Sequence, residues 1–268
     1  MKVVLCGGGV AGRMAAVRLA ASLGDHLAGL VWDEATGPPP ELASVPRLSL
    51  ETCSGAAEVL LCSGFGRIIP SAVLAAFPGG AFNAHPSLLP HYRGRHAIQW
   101  AIASGERVLG VTIHRMTVRL DQGEIIAAAG WRFGLEEAYP QIAECLARLA
   151  GTMLAELARR LVAGEAIEPL APEPAKGRYW PRRRPEDSRI DWSQGQAVVL
   201  NQVRAGDRSY PAHAYLQDGQ KVNFVDYLAG GQPGEVLFSS PQGCLIATAD
   251  GVVWLVPDRP LKKGEVLS

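Results

Sequence analysis

The 268-residue sequence has no apolar run that approaches the roughly 18–20 residues of a membrane-spanning helix. Its N-terminus carries one lysine and a short apolar stretch interrupted by glycines, which makes a poor secretory signal. Internal repeats and low-complexity segments are also lacking. These absences argue against a membrane span, a secretory leader and a repeat architecture, and we expect a cytoplasmic protein.

The cysteines are few, and none of them form a recognisable framework. Their number is odd and no two have C-x-x-C spacing, which argues against a disulfide scaffold and against a cysteine-rich zinc site. They are Cys6, Cys53, Cys62, Cys145 and Cys244. We therefore expect a reducing compartment, and we predict no metal site.

Net charge is lacking as well, because 26 Lys and Arg balance 26 Asp and Glu. This balance argues against a general nucleic-acid-binding surface. With 48% hydrophobic and 19% charged residues, the chain can form an ordinary core. Its length suits one large domain, or one domain with a smaller one.

Apolar runs alternate with helical patterns through the first 164 residues. Helices are predicted at 11–24, 70–77, 96–105 and 138–164, and strands at 3–7, 26–33, 57–65, 80–87, 108–116 and 124–133. This alternation predicts a Rossmann-like α/β fold with a doubly wound, mostly parallel sheet.

The pattern changes after a Pro-rich linker at 168–177. One more helix, at 195–206, precedes several short strands, and the Asp218-Gly219 pair predicts a hairpin. We predict a catalytic domain over 1–176 and a small OB-like β domain over 177–268. Arg182, Arg183 and Arg184 form a basic run that predicts a solvated or domain-bridging face.

Gly7, Gly9 and Gly12 have the G-x-G-x-x-G spacing of a dinucleotide-binding turn, and Asp33 follows a second predicted strand. That reading implies an NAD(P)-binding oxidoreductase. However, glycine is favoured in any tight strand-to-helix turn. A third interpretation is that the helix N-terminus at Gly12 binds a phosphate of the acceptor.

The segment from Phe82 to Ile126 offers different chemistry. Asn83 and His85 are two residues apart at a predicted strand end, so both side chains share one face at an edge where ligands bind. Asn83 could donate a hydrogen bond to an oxyanion and His85 could carry a proton. Asp121, in the next loop, could orient His85 or accept a proton through water. Alone, each residue is also an ordinary structural one.

Together these residues resemble a known family. The motifs N-x-H-P-S-L-L-P (from Asn83), Y-R-G (from Tyr92), G-V-T-I-H-x-M (from Gly110) and D-x-G (from Asp121) are similar to the signature of the 10-formyltetrahydrofolate-dependent formyltransferases. The family includes enzymes that act on methionyl-tRNA, on glycinamide ribonucleotide and on nucleotide-linked amino sugars. The resemblance extends more weakly through the whole chain.

The resemblance implies roles for particular residues. Asn83 would polarise the formyl oxygen, His85 would stabilise the tetrahedral intermediate and relay protons, and Asp121 would hold His85 or a water. The co-substrate 10-formyltetrahydrofolate would lie against Phe65, Gly66, Arg67, Ile68, Ile69 and Leu120. No metal is implied. An inactive, binding-only member of the family is the alternative that the intact Asn83, His85 and Asp121 disfavour.

The amine acceptor is the least constrained part of the prediction. The methionyl-tRNA enzymes carry a basic insertion where this chain has a short segment whose only cation is Arg47. We therefore expect a nucleotide-linked amino sugar, with an N-hydroxyornithine-type siderophore precursor and methionyl-tRNA as alternatives. Nucleic acid and membrane partners are not expected. The small C-terminal domain could supply a homodimer interface, a wall of the acceptor site or a cap on the core. The residues predicted to bind the acceptor are Gly9, Arg93, Arg95 and His96.

Overall fold

The computed structural model describes residues 1–33, 37–169, 177–229, 236–240, 243–263 and 265–267. Unit 1 comprises residues 1–94, 108–132 and 142–179, and unit 2 comprises residues 95–107, 133–141 and 180–268. The domain boundary at 176/177 stays a prediction, because most of the predicted linker, 170–176, lies outside the described residues. None of the helices in the described ranges has the length and apolarity needed to cross a membrane.

Unit 1 is built on a six-stranded sheet with the order β2-β1-β3-β4-β6-β7. Its strands are β1 (Val3–Gly7), β2 (Leu27–Trp32), β3 (Val59–Ser63), β4 (Ala81–His85), β6 (Val108–Arg115) and β7 (Ile125–Arg132), and β5 (Arg93–Gly94) is a separate two-residue strand. The first four strands run parallel, whereas β6 and β7 are antiparallel to their neighbours. The predicted mostly parallel α/β sheet is confirmed.

Strands β1 and β3 are buried along their whole length, as expected for central strands covered on both faces. The helices associated with this sheet are α1 (Gly9–Leu23), α2 (Ser71–Ala75) and α4 (Tyr139–Val162). Buried residues recur along α4 at helical spacing, including Ile142, Leu146, Ala150 and Leu154. A Cβ on Gly151 would lie 2.9 Å from the Met14 carbonyl oxygen, so α4 needs glycine where it crosses α1.

Unit 2 contains α3 (Ala97–Ala103), α5 (Gln196–Arg204) and a five-stranded antiparallel sheet with the order β11-β12-β13-β10-β9. These strands are β9 (Ala212–Tyr215), β10 (Lys221–Ala229), β11 (Val236–Ser240), β12 (Gly243–Thr248) and β13 (Gly251–Pro257). The two-residue strand β8 (Tyr179–Trp180) has its first residue in unit 1 and its second in unit 2. Leu216 N–H donates to Gln220 O at 2.9 Å, which closes the predicted hairpin. The expected small β-rich C-terminal fold is therefore confirmed.

Two arginines lie inside unit 2, each only 1% exposed. Arg204 donates to the carbonyls of Gly134 and Glu137, both at 2.9 Å, which ties that segment to α5. Arg183 donates to the Asp187 carbonyl at 2.7 Å and lies over the Trp100 ring. The prediction that the whole 182–184 run forms a solvated or bridging face was wrong for Arg183, because its side chain is buried inside the unit and donates to neutral acceptors there.

Candidate active site

The predicted catalytic pair lies at the carboxyl end of β4. Asn83 is half-buried and His85 is 5% exposed. The antiparallel neighbour β6 places His114 opposite Asn83 and Thr112 opposite His85. Residues that are opposite each other in such a pair share one face of the sheet, so four polar side chains meet at this strand end.

Asp121 joins this group from the loop between β6 and β7. Its Oδ2 accepts a hydrogen bond from the Gly94 N–H at 2.8 Å and lies 3.7 Å from His85 Nδ1. Its Oδ1 lies 3.5 Å from His114 Nε2. Asp121 is 7% exposed and has a positive φ of 53°, a conformation that non-glycine residues adopt mainly where their surroundings enforce it.

The carboxyl of Asp121 remains ionised in this buried position. Burial acts to raise its pKa, but the His114 and His85 imidazoles and the Gly94 N–H outweigh burial and hold the pKa below its ordinary value. The site therefore contains a buried negative charge whose immediate neighbours are two imidazoles and one backbone donor.

His85 is held in a single tautomer by the backbone. Its Nε2 lies 2.9 Å from the Tyr92 carbonyl, which only accepts, so the proton is on Nε2 and the lone pair is on Nδ1, facing Asp121. Burial lowers the pKa of His85, although the Asp121 charge and the Tyr92 carbonyl oppose this. A neutral imidazole with its free lone pair beside a carboxylate can accept a proton and be stabilised once charged.

The loop after β4 is fixed by hydrogen bonds as well as by its prolines. Thr112 Oγ1 donates to the Ser87 carbonyl at 2.7 Å and accepts from the Leu89 N–H at 3.0 Å. Ser87 Oγ donates to the His91 carbonyl at 2.7 Å. The loop in turn presents the Tyr92 carbonyl to His85, so this anchoring positions a catalytic candidate.

His114 is the functional candidate that the sequence analysis missed. Its Nε2 lies 3.1 Å from Asn83 Nδ2, and its Nδ1 lies 3.0 Å from the Arg115 carbonyl. The residue was visible in the quoted G-V-T-I-H-x-M motif. Its role could be predicted only from the antiparallel pairing of β6 with β4, because that pairing places His114 opposite Asn83.

The predicted folate segment follows β3 and is partly open. The Gly66 N–H donates to Asp33 Oδ2 at 3.1 Å, and the Arg67 guanidinium lies 4.8 Å from the Phe65 ring centroid. Ile68 is 81% exposed, whereas Ile69 is buried. Leu120, beside Asp121, is 47% exposed, so two large apolar side chains are accessible on the predicted folate-binding segments.

The glycine-rich turn has packing reasons for its composition. A Cβ on Gly8 would lie 2.7 Å from the Gly64 carbonyl oxygen, and one on Gly12 would lie 2.8 Å from the Gly7 carbonyl carbon. Asp33, the candidate ribose ligand, accepts the Gly66 N–H instead. Gly9 differs, because its φ is +56° and a Cβ there would meet no atom within 4 Å. Close packing and backbone conformation thus explain the glycines of this turn without a bound dinucleotide.

The remaining acceptor candidates belong to different units. Arg93 is half-buried in unit 1, whereas Arg95 is exposed and His96 half-buried in unit 2. His96 Nδ1 accepts the Arg183 N–H at 3.1 Å. Burial, followed by the charge of nearby arginines, lowers the pKa of His96, so the ring is a neutral group with one nitrogen already bonded. Within the described residues, no group of three or more His, Cys, Asp or Glu side chains is arranged to hold a metal ion.

The family models and the sequence relatives that match this chain agree on one family. The formyl transferase family matches residues 40–156, and the formyl transferase C-terminal domain matches residues 183–265. A methionyl-tRNA formyltransferase from Citrifermentans bemidjiense is 35% identical over 197 residues, 72% of this chain and 61% of the relative. One from Anaeromyxobacter dehalogenans (strain 2CP-1) is 32% identical over 84% of this chain and 75% of the relative. The chain thus spans less than two thirds of the length of the first of these relatives.

A solved structure shows the same fold at low sequence identity. The N-formyltransferase from Helicobacter canadensis, in complex with folinic acid and dTDP-3-aminofucose, has a TM-score of 0.74 and is 13% identical, covering 96% of this chain and 99% of its own. The family matches extend across both the segment that carries Asn83, His85 and Asp121 and the β-rich C-terminal region. On these matches, the chain belongs to the formyl transferase family.

Proposed function

We propose that this chain transfers a formyl group from 10-formyltetrahydrofolate to a primary amine, with Asn83, His85 and Asp121 as catalytic residues. The observation that carries this proposal is the buried Asp121 carboxylate, which lies 3.7 Å from His85 Nδ1 at the same strand ends as Asn83. An amide donor, a neutral imidazole and an ionised carboxylate are the groups that acyl transfer to an amine requires.

Each residue has one task in this proposal. Asn83 uses one amide N–H on His114, and its second N–H is the donor for the formyl oxygen as negative charge develops there. His85 accepts a proton at Nδ1, and the Asp121 carboxylate stabilises the resulting imidazolium. Together they remove the proton that the attacking amine must lose, and the same proton can pass to N10 of the folate as the bond between N10 and the formyl carbon breaks.

Two exposed apolar side chains on the predicted folate-binding segments support binding of the folate co-substrate. Ile68 is a large apolar side chain at 81% exposure, and Leu120 is nearly half exposed. Such side chains can cover the flat faces of a pterin ring, and the backbone from Phe65 to Ile69 can supply polar contacts to its edge. The co-substrate supplies the activated one-carbon group, and this segment binds and orients it.

For the acceptor, we propose an amino sugar linked to a nucleotide diphosphate. Two observations support this choice. Residues 33–58 contain one cation, Arg47, among five acids, so the segment offers little attraction to tRNA phosphates. Gly9 offers open space at the start of α1, where a phosphate is electrostatically favoured. Arg93, in the same unit, and Arg95 and His96, in unit 2, stay predicted acceptor contacts.

Two other acceptors remain as alternatives. Methionyl-tRNA is favoured by the names of the sequence relatives, and an N-hydroxyornithine-type precursor would use the same amine chemistry. A dinucleotide-dependent oxidoreductase is disfavoured by the contact between Asp33 and Gly66. The homodimer stays a prediction.

A turnover assay with a pooled set of acceptors tests the proposal. The pool contains nucleotide-linked amino sugars, N-hydroxyornithine and methionyl-tRNA, and products are read by mass spectrometry. We expect a formylated sugar nucleotide. Formylation of another pool member would keep the reaction and overturn the acceptor. Failure to bind 5-formyltetrahydrofolate, together with fluorescence-detected binding of NADH, would overturn the reaction itself.

A further inference from the structure

One buried imidazole has no step in the proposed reaction. His114 is 2% exposed and lies at the end of β6, between Asn83 and Asp121. A histidine that is buried this completely can be purely structural, provided that both of its ring nitrogens have hydrogen-bond partners. In this site, however, the partners of its Nε2 are two of the three proposed catalytic groups.

The backbone determines which nitrogen of His114 carries the proton. The Arg115 carbonyl, 3.0 Å from Nδ1, can only accept a hydrogen bond, so Nδ1 carries the hydrogen. In the neutral ring, Nε2 then has a lone pair. Asn83 Nδ2 lies 3.1 Å away and donates to it.

This arrangement fixes the orientation of the Asn83 amide. If that amide were rotated by half a turn, its oxygen would face the Nε2 lone pair and two acceptors would be in contact, which is unfavourable in a buried position. With His114 in place, the amide nitrogen faces β6 and keeps one N–H for another acceptor. The donor that the formyl oxygen needs is therefore aligned before substrate arrives.

We infer that His114 is a positioning residue for formyl transfer, which holds the Asn83 amide in its donating orientation through Nε2 while Nδ1 donates to the Arg115 carbonyl. The inference rests on the proposed function only for its kinetic consequence. The orientation of the amide and the tautomer are properties of the free protein, and they can be measured without turnover.

Two substitutions separate positioning from simple packing. His114→Phe keeps a flat ring and removes the acceptor, whereas His114→Gln can accept the Asn83 N–H with its side-chain oxygen. We expect the Phe variant to lose roughly 100-fold in kcat with a folate KM within about threefold of wild type, and the Gln variant to recover at least about tenfold of that loss. The matched control His26→Gln, at an exposed position, should not change either constant.

Nitrogen-15 NMR of the free protein supplies the independent readout. We expect the His114 ring to carry its hydrogen on Nδ1, and the Asn83 side-chain amide resonances to shift in the Phe variant. An Nε2-protonated ring, or Phe and Gln variants with equal kcat, would overturn the inference. If wild type transfers no formyl group to any amine, the proposed function fails, and the NMR result alone decides the His114 orientation. The Gln variant and the wild-type spectrum remain decisive if the Phe variant does not fold.

Discussion

Replacing Asp121 with asparagine removes one charge from the site with almost no change in shape. The amide oxygen can still accept the Gly94 N–H, which holds the loop at 2.8 Å, so the fold around the site should persist. What the variant lacks is the negative charge 3.7 Å from His85 Nδ1. That charge is most valuable when His85 has taken up the proton of the attacking amine.

The size of the effect follows from the distance. Two unit charges 3.7 Å apart attract each other by about 4 kcal/mol at an effective dielectric constant of about 20, which is a suitable value for a buried protein site. If most of this stabilisation is felt in the transition state, kcat falls by about a thousandfold. This is within the range of roughly 100 to 10,000-fold for the loss of a positioned acid or base.

The assay is the initial rate of amine formylation by wild type, Asp121→Asn and the surface control Asp25→Asn. The folate KM should stay within about threefold, because the lost charge acts on the reaction and not on binding. In parallel, an NMR titration of His85 should give a lower pKa in Asp121→Asn, since the Asp121 charge opposes the effect of burial. A variant that retains more than about a tenth of wild-type kcat, or a His85 pKa that does not change, would refute the reasoning.

Four further predictions concern pH, the folate segment and unit 2. Because burial lowers the pKa of His85, the acid limb of kcat/KM should have its midpoint below pH 6.5, and a midpoint above that value would contradict a neutral buried imidazole. The pKa of Asp121 is also lowered, so its contribution to stability is present above pH 3.8 and lost as pH falls through the folded-state pKa; acid denaturation of Asp121→Asn should be less steep. Asp33→Ala removes the acceptor of the Gly66 N–H and should cost about 0.5–1.5 kcal/mol by urea unfolding and weaken 5-formyltetrahydrofolate binding, without creating NADH binding. Arg204→Met leaves buried carbonyls without a donor and should cost about 3 kcal/mol, whereas a loss below about 0.5 kcal/mol would show that water replaces the guanidinium.

The local sequence pattern was sufficient to predict those parts of the fold and the site that depend on hydrophobic periodicity and on the spacing of residues along the chain. The two-residue spacing of Asn83 and His85 put them on one strand face, and the structure places them there. The alternating segments predicted the sheet of unit 1, and Asp218-Gly219 predicted the hairpin of unit 2. These features depend only on neighbours along the chain, where steric and hydrogen-bonding preferences act directly.

Features that depend on distant partners could not be read in the same way. The role of His114 requires the antiparallel pairing of β6 with β4, a property of the assembled sheet. The burial of Arg183 depends on the Gln99 carbonyl and on Trp100, more than 80 residues earlier in the chain. The tautomer of His85 depends on Tyr92, whose positive φ of 54° turns its carbonyl toward the ring.

The most direct test of the central claim is a single-turnover transfer experiment with 10-formyltetrahydrofolate that contains carbon-13 in the formyl group. Wild type and Asn83→Ala are mixed with the labelled co-substrate and the pooled amines, and the label is followed by mass spectrometry. We expect wild type to place the label on an amine as an N-formyl group, and Asn83→Ala to do so at least about 100-fold more slowly. Label that stays on the folate or appears only as formate with wild type, while the folate is demonstrably bound, would contradict the central claim.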